Sequence, residues 1–564
     1  MATNILRGLH MSFTYYVNVN VIGYLLGATA SVVAGLADRY GRANIVTAGL
    51  ALVGLLCLFA LPNVHTKLAF GVVFVVIGFV EGIILVATPA LVRDFSPQLG
   101  RASAMGFWTL GPVLGSLVVS AFVSGGATTS WQDQYRTSGI IGLVVFVVAL
   151  LGLRELSPRL RDQLMVSRKD RALIESRAAG IDLEAGLRRP FRQMLHVDVI
   201  GSAFAISVFL IIYYVAVGFF PVFFETVFGY TQSKANTLGN YFWAFDAGGL
   251  LIVGAISDRF RVRKPFMVLG AVLAIIFTTI FATRATHPET SYTTFVILLS
   301  CIAVSLALAF APWMASFTET VERRNPALTA TGLAVWGLMI RVVIAVSIFF
   351  VPKIVTTATT LVEQGPAVQA VLANPTPVGA TTVGKVASAV AANPATVAQL
   401  QTIAARDSAL LAALKTHPSV AAALAKAQAS GAKPTPAQMG QIKAALGGPA
   451  FAQLIKPQTA GDLAFLSTTG PHKLGAANFA ALTNPNPQLG AALKTLSVHG
   501  PPVQKAASAS PKQWRTYFFV GVGGEIVFIP LILLMAGFWD PRKAKRAEEE
   551  HDRWLAAEMA KLEH

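Results

Sequence analysis

The sequence predicts an all-α integral membrane protein: a helical bundle in two related halves, with a long insert before its last helix. Three observations predict it. About eleven apolar stretches reach the ~20 residues that carry a helix across a bilayer. Only 13% of the residues are charged, where a soluble domain carries about 25%. A charged turn, GLADRYGR at 35–42, returns in altered form as GAISDRFRVRKP at 254–265.

Composition narrows the function classes. The 564-residue chain is 54% hydrophobic, with a mean hydropathy of +0.60. Its net charge is +17. The Lys and Arg residues sit in loops between spans and in one low-complexity insert, which reads as membrane topology and not as a nucleic-acid surface. Cys57 and Cys301 lie in apolar runs without CxxC or clustered His, so neither a disulfide framework nor a zinc site is expected. The chain shows no nucleophile–base constellation, metal cluster or phosphate loop. GVGGE at 521–525 is glycine-rich but lies inside an apolar span, where small-residue packing explains it. Neither an enzyme nor a cofactor is expected. The opening residues do not follow the pattern of a cleavable signal peptide, and the first apolar stretch is long enough to be a span.

The spans fall at 15–35, 44–62, 68–92, 104–124 and 137–155, then at 198–222, 234–256, 265–284, 292–318 and 327–352, and last at 515–539. The domains follow: an N-terminal transmembrane half at 1–155, a linker at 156–197, the first five helices of a C-terminal half at 198–352, an insert at 353–514, the last helix at 515–539 and a tail at 540–564. With the GLADRYGR turn in the cytoplasm, the inner loops and tail hold roughly 26 Lys/Arg and the short outer loops roughly 5. This puts the N-terminus outside, the C-terminus inside and the insert on the outer side of a cytoplasmic membrane.

Residues 156–197 alternate charge signs with apolar residues between them, as an amphipathic linker helix does. The insert is rich in Ala, Pro, Thr and Gln and has almost no aromatic residues. NPATVAQLQTI, HPSVAAALAKA and NPQLGAALKTL recur in it, each placing Asn or His before Pro and an Ala/Leu run. Asn at the cap with Pro at the first position starts a helix. Short helices joined by Pro/Gly turns are expected, with too little apolar area for a stable independent fold. They form either a plain linker or a cap that docks a partner. In the tail, Asp540 before Pro541 reads as the cap of another short helix.

Three charges stand near the middle of spans: Glu81 in GFVEGI, Asp246 in YFWAFDAGG and Arg341 in GLMIRVVIA. An ionised group there costs several kcal/mol, so such residues are functional by default. Helical spacing puts Gly239, Phe242, Trp243, Asp246 and Gly249 on one face, and Ala334, Gly337, Arg341 and Ala345 on another. Asp246 and Arg341 are expected to pair. Glu81 is expected to be the protonatable coupling residue or the substrate's counter-ion. Glu525, nearer the end of its span, reads as a structural hydrogen-bonding group.

With its two charged turns the chain resembles the major facilitator superfamily. The signature G-x-x-x-D-R-x-G-R joins that family's second and third helices, and a degenerate copy joins the eighth and ninth. Gly35, Asp38, Arg39, Gly41 and Arg42 carry the likeness, with Ala34 in the leading Gly position. Asp258 and Arg259 carry it in the second copy, where Arg261 replaces the second Gly. The resemblance covers nearly all of the chain outside the insert.

It implies twelve helices in two halves that rock around a midplane site. One helix would then precede residue 15, with residues 1–14 as the outer loop after it; either the natural start lies upstream or the chain is an eleven-helix variant. Other elements carry over. Arg93, Asp94 and Arg101 would form cytoplasmic gate contacts with the other half. GPVLGS at 111–116 places Gly111, Pro112 and Gly115 in the fifth helix, for bending and close packing. A fuller version of that pattern is associated with antiporters, but Phe107 stands where an upstream Gly is expected. In the fourth helix Gly78 replaces a frequent Arg, and Glu81 supplies an acid instead. Of Trp108, Tyr213, Tyr214, Tyr241 and Trp336, the first choices as cavity-lining residues are Trp108 and Tyr214. The implied function is secondary transport of a small organic solute, coupled to protons, with antiport export favoured over symport. The competing class is a non-transporting membrane scaffold or sensor that binds a partner through the insert.

Overall fold

The computed structural model describes residues 2–33, 42–95, 101–125, 130–153, 190–260, 262–324, 329–430, 434–484, 486–547, 549–550 and 553. By internal contact the chain divides into two units, residues 1–363 with 506–564 and residues 364–505.

The first unit is a helical bundle. Its helices are α1 (Ala2–Gly8), α2 (Phe13–Val33), α3 (Arg42–Leu55), α4 (Lys67–Phe95), α5 (Arg101–Ser124), α6 (Trp131–Gly152), α7 (Pro190–Met194), α8 (Val197–Phe209), α9 (Ile211–Phe228), α10 (Gln232–Phe260), α11 (Lys264–Arg284), α12 (Tyr292–Arg324), α13 (Thr329–Ile354) and α14 (Thr357–Glu363). Each expected span has its helix. Among the described residues nine are long and apolar enough to cross a membrane by length and hydropathy. The other two, α2 and α10, are 21 and 29 residues long and carry the polar residues Asn18, Asn20, Asn236, Asn240 and Asp246. The span expected at 198–222 is two helices, α8 and α9, which break at Leu210 where ψ reaches 7°.

Residues 1–14 are not an open outer loop. Ile5, Leu6, Leu9 and Met11 are buried, and Asn4 Nδ2 donates to Gln232 Oε1 at 2.9 Å. Their apolar spacing makes a short helix that seats on the bundle.

Two seams join the halves. In one, α13 packs against α2 and α4; in the other, α10 packs against α5. Beside the first seam, within the N-terminal half, α2 and α4 cross by close backbone approach. A Cβ on Gly82 would strike the Gly27 carbonyl oxygen, and one on Gly78 would stand 3.2 Å from the carbonyl oxygen of Gly23. Ser31 Oγ fills the crossing, donating toward Gly27 O at 2.9 Å and Gly82 O at 3.2 Å. The second seam is polar. Ser120 Oγ donates to Asn236 O at 2.6 Å, Ser233 Oγ to Ser124 O at 2.6 Å, and Asn240 Nδ2 to Ser124 Oγ at 2.8 Å.

Behind the seams the C-terminal half has a phenylalanine core. Phe220, Phe223, Phe224, Phe281 and Phe518 pack mostly edge-on or tilted, as ring quadrupoles favour. Glu525 is fully buried and accepts from Thr278 Oγ1 at 2.8 Å. Residues 541–547 are helical, and Asp540 Oδ1 accepts from the Arg542 backbone N–H at 2.8 Å.

The second unit is a set of short helices with its own small aliphatic cores, a correction to the expectation that so few aromatic residues could not build one. Ala, Val and Leu close it instead. One core gathers Val378, Val383, Val386, Ala481, Leu489 and Ala492; another gathers Leu410, Ile442, Leu446 and Ala450. A two-residue β-hairpin pairs Pro377–Val378 with Thr381–Thr382. Helices start at Pro394, Pro418 and Pro487, as the repeated Asn/His-Pro patterns predict. Asn486 is a side-chain cap, accepting from the backbone N–H groups of Gln488 and Leu489 at 2.9 and 3.1 Å. Asn393 is not; its amide donates back to Ala389 O. The last helix is Pro487–Leu531, so it begins well before the expected residue 515.

Among the described residues of this unit, Arg406, Asp407 and Asp462 form a charged cluster. Asp407 is buried, and its carboxylate oxygens have no hydrogen-bond donor. Arg406 Nε lies 3.7 Å from Asp407 and pairs more closely with Asp462. Burial first, and then contact with Asp462, push the Asp407 carboxyl above the usual aspartate range. The folded unit therefore keeps a proton that the unfolded chain gives up above about pH 4. Its stability falls as pH rises from there through the raised value. Hydrogen exchange of residues 403–416 in the full chain, corrected for intrinsic rates, should show greater protection at about pH 5 than at about pH 8. Asp407→Asn should flatten that difference.

Candidate functional site

The break at Leu210 sets the start of α9 so that Tyr213 and Tyr214 meet rings from other helices. Tyr214 lies edge-on to Tyr24 of α2 at 6.4 Å and to Tyr213 at 5.2 Å. Tyr213 continues to Trp243 of α10 at 5.4 Å. A second aromatic group stands further along α13. Trp336 lies between Trp108 of α5, at 6.3 Å, and Trp313 of α12, at 5.6 Å. Trp108 Nε1 donates to Thr88 Oγ1 at 2.9 Å, and Trp313 Nε1 to Ser202 Oγ at 3.0 Å. Trp336 Nε1 is buried without an acceptor.

Arg341 is the buried charge beside the tyrosines. It is 7% exposed, and its Nε has no hydrogen-bond partner. Its electrostatic neighbours are Glu81, Tyr24 and Tyr214. On α2 the absence of a side chain at Gly27 makes room for the guanidinium, since a Cβ there would strike Nη1. Glu81 is exposed, unlike Arg341, and makes no hydrogen bond or ion pair among the described residues. Cys57 and Tyr135 also lie within its electrostatic reach.

The structure does not join Asp246 to Arg341. No ion pair within 4 Å links them; Asp246 is buried near Tyr213. The reason is helical phase: α12 packs against both α10 and α13, while Arg341 turns toward α2, α4 and α9. The site therefore joins Glu81, Arg341 and Tyr214, sets Trp108 along the same helix wall and keeps Asp246 on a separate one. Sequence reasoning missed Tyr24. Its signal was a tyrosine between Gly23 and Gly27 in an apolar helix. Tyr241 is exposed and makes none of these contacts.

At the second charged turn Asp258 pairs with Arg263 at 2.8 Å, and Arg263 lies 3.6 Å from Glu319 of α12. Arg263 Nη1 also donates to Ser257 Oγ at 2.9 Å. The partner of Asp258 is thus an arginine five residues on, which the sequence reading did not single out. Arg259 is exposed. Gly35, Asp38, Arg39 and Gly41 of the first turn lie outside the described residues. Arg42 opens α3, Arg93 and Asp94 end α4, and Arg101 opens α5; their side chains lie outside the description.

Pro112 is inside α5. A Cβ at Gly111 or Gly115 would meet nothing within 4 Å. Close packing at these glycines is therefore not what the structure shows; α5 makes its contact with α10 through Ser120 and Ser124 instead.

The profile of the Major Facilitator Superfamily matches residues 1–348, more than half of the sequence. The chain belongs to the major facilitator superfamily. It is a multi-pass membrane protein and a secondary transporter, built to bind a small-molecule substrate within the lipid bilayer. A search of curated proteins finds no match. Solved structures of the same superfamily share the fold. The proton:xylose symporter XylE bound to 6-bromo-6-deoxy-D-glucose aligns at 15% identity and a TM-score of 0.50, over 61% of this chain and 79% of that one. A D-xylose-proton symporter aligns at 15% and 0.47, over 60% and 80%. XylE from E. coli, in a partially occluded inward open conformation, aligns at 14% and 0.45, over 60% and 81%.

The glycine crossing of α2 and α4 in this major facilitator's N-terminal half is directly testable. Gly82→Val drives a branched side chain into the Gly27 backbone and should lower thermal stability in detergent by the equivalent of about 1–3 kcal/mol or more. Gly111→Ala, at an open position, should stay within about 0.5 kcal/mol of the parent.

Proposed function

We propose that this major facilitator moves a small organic solute across the cytoplasmic membrane by alternating access, energised by protons. One observation carries the reading: Glu81, exposed at mid-span, faces the buried guanidinium of Arg341 without an ion pair between them. A carboxyl so placed can take up and release a proton, and each change alters the field at Arg341. Glu81 is the coupling residue in this reading. Arg341, Tyr214 and Trp108 line the substrate path, and Asp246 supplies a second carboxyl on the opposite helix wall. The cytoplasmic turns act as gates, through Asp38, Arg39 and Arg42 with Arg93 and Asp94 in one half and through Asp258 and Arg259 in the other. Gly35 and Gly41 give the first turn its tightness. The excess of Lys and Arg on one side puts the C-terminus in the cytoplasm and the N-terminus outside.

A second reading has its own observation. The insert forms a compact unit with its own cores, as a partner-docking domain would. In that reading the chain is a scaffold or sensor derived from a transporter.

The experiment is solute-induced proton movement in proteoliposomes with an entrapped pH dye, run over a panel of neutral, anionic and cationic metabolites. Glu81→Gln should reduce proton-coupled flux at least tenfold, yet leave solute exchange without a gradient within about threefold. Proton-coupled flux that survives Glu81→Gln unchanged would remove Glu81 from the coupling role. Removing residues 364–505 should spare flux in a transporter and abolish partner capture in a scaffold.

A further inference from the structure

Among the described residues Arg341 is a buried charge without an ion pair. A guanidinium is donor-only and keeps its proton at any physiological pH. Here it is 7% exposed, lies within the bundle, has an unpartnered Nε and makes no ion pair within 4 Å among the described residues. Leaving such a charge uncompensated in a membrane interior costs several kcal/mol. The groups facing it are Glu81 from α4, Tyr24 from α2 and Tyr214 from α9. Glu81 can be neutralised by a proton; Arg341 cannot shed its charge. Ser31, nearby on α2, commits its hydroxyl hydrogen to backbone carbonyls.

The space around the guanidinium is shaped for it. Gly27 makes room for Nη1, and the edge-on pair Tyr24 and Tyr214 lies within its electrostatic reach. A neutral polyol would leave the charge of the guanidinium unanswered. Arg341 offers an unpartnered charged donor near flat tyrosine rings, which an anion answers best.

We propose that the substrate is an organic anion with a flat, ring-like apolar part. Its carboxylate or equivalent oxygens are received by Arg341, and its ring rests against the Tyr24–Tyr214 pair. Glu81 and the substrate anion then compete for one cation. Protonation of Glu81 frees Arg341 for the anion, and departure of the anion returns Arg341 to an ionised Glu81. The site passes between two states of equal net charge. This assignment rests on the transporter reading of the same site and adds the substrate's charge and shape.

The test uses the full chain in nanodiscs and three probes of one shape, 4-nitrobenzoate, 4-nitrobenzamide and 4-nitrobenzylamine, titrated by quenching of tryptophan fluorescence. The anion should bind at least tenfold more tightly than the amide, and the amine most weakly. Arg341→Gln should erase the preference for the anion, and Arg341→Lys should keep part of it. Equal binding of anion and amide overturns the assignment, as does preference for the amine, binding of none of the probes at millimolar concentration, or an undiminished preference in Arg341→Gln. The proteoliposome panel separates this from the broader reading. Flux confined to neutral or cationic solutes overturns the anion and leaves transport standing. Selective anion binding without flux of any solute keeps the anion site and removes transport.

Discussion

A guanidinium that cannot lose its proton sits inside an apolar bundle, and much of the packing at the first seam is arranged around it. Gly27 is small because Nη1 of Arg341 occupies the place of its side chain. Gly82 is small because its neighbour is the Gly27 backbone itself. Ser31 answers the carbonyls that such close approach leaves facing the seam. The three helices α2, α4 and α13 therefore form one packed unit across the two halves, in which a side chain added at the crossing displaces the charge or the backbone.

The other seam works by different means. Between α5 and α10, serine and asparagine side chains bond to backbone carbonyls and to each other. Interhelical hydrogen bonds of this kind are typically worth about 0.6 kcal/mol each in membrane proteins, so the seam is held by several weak links and can re-pair as helices shift. Two halves joined by such contacts suit a mechanism in which the halves rock. The break at Leu210 adds the local irregularity that turns Tyr213 and Tyr214 toward the neighbouring aromatic residues. Behind it, the phenylalanine core of the C-terminal half supplies a rigid wall of interlocked rings.

The insert reaches compactness by another route. It has few aromatic residues, so its cores are assembled from Val, Leu, Ile and Ala on short helices whose starts are set by proline. Each core is small, which makes the unit sensitive to a single buried charge. Asp407, with another carboxyl and one shared arginine as its close neighbours, is that charge.

The spans, the helix starts at Pro394, Pro418 and Pro487 and the mid-helix positions of Glu81, Asp246 and Arg341 were determined by the sequence alone. Apolar length, proline's fixed φ and the cost of a charge in hydrocarbon are local properties, readable one residue at a time. Pairings were decided only by the tertiary structure. Arg341 faces Glu81 and the tyrosines because α12 stands against both α10 and α13 and the helix phase turns the guanidinium toward α2. Asp258 meets Arg263 because the turn folds back on itself. Gly111 and Gly115 read as packing glycines but lie open, while Gly27 and Gly82, which were not singled out for packing, approach closely. A glycine's sequence context shows that a close approach is possible; which neighbour arrives there depends on the azimuth and crossing of whole helices.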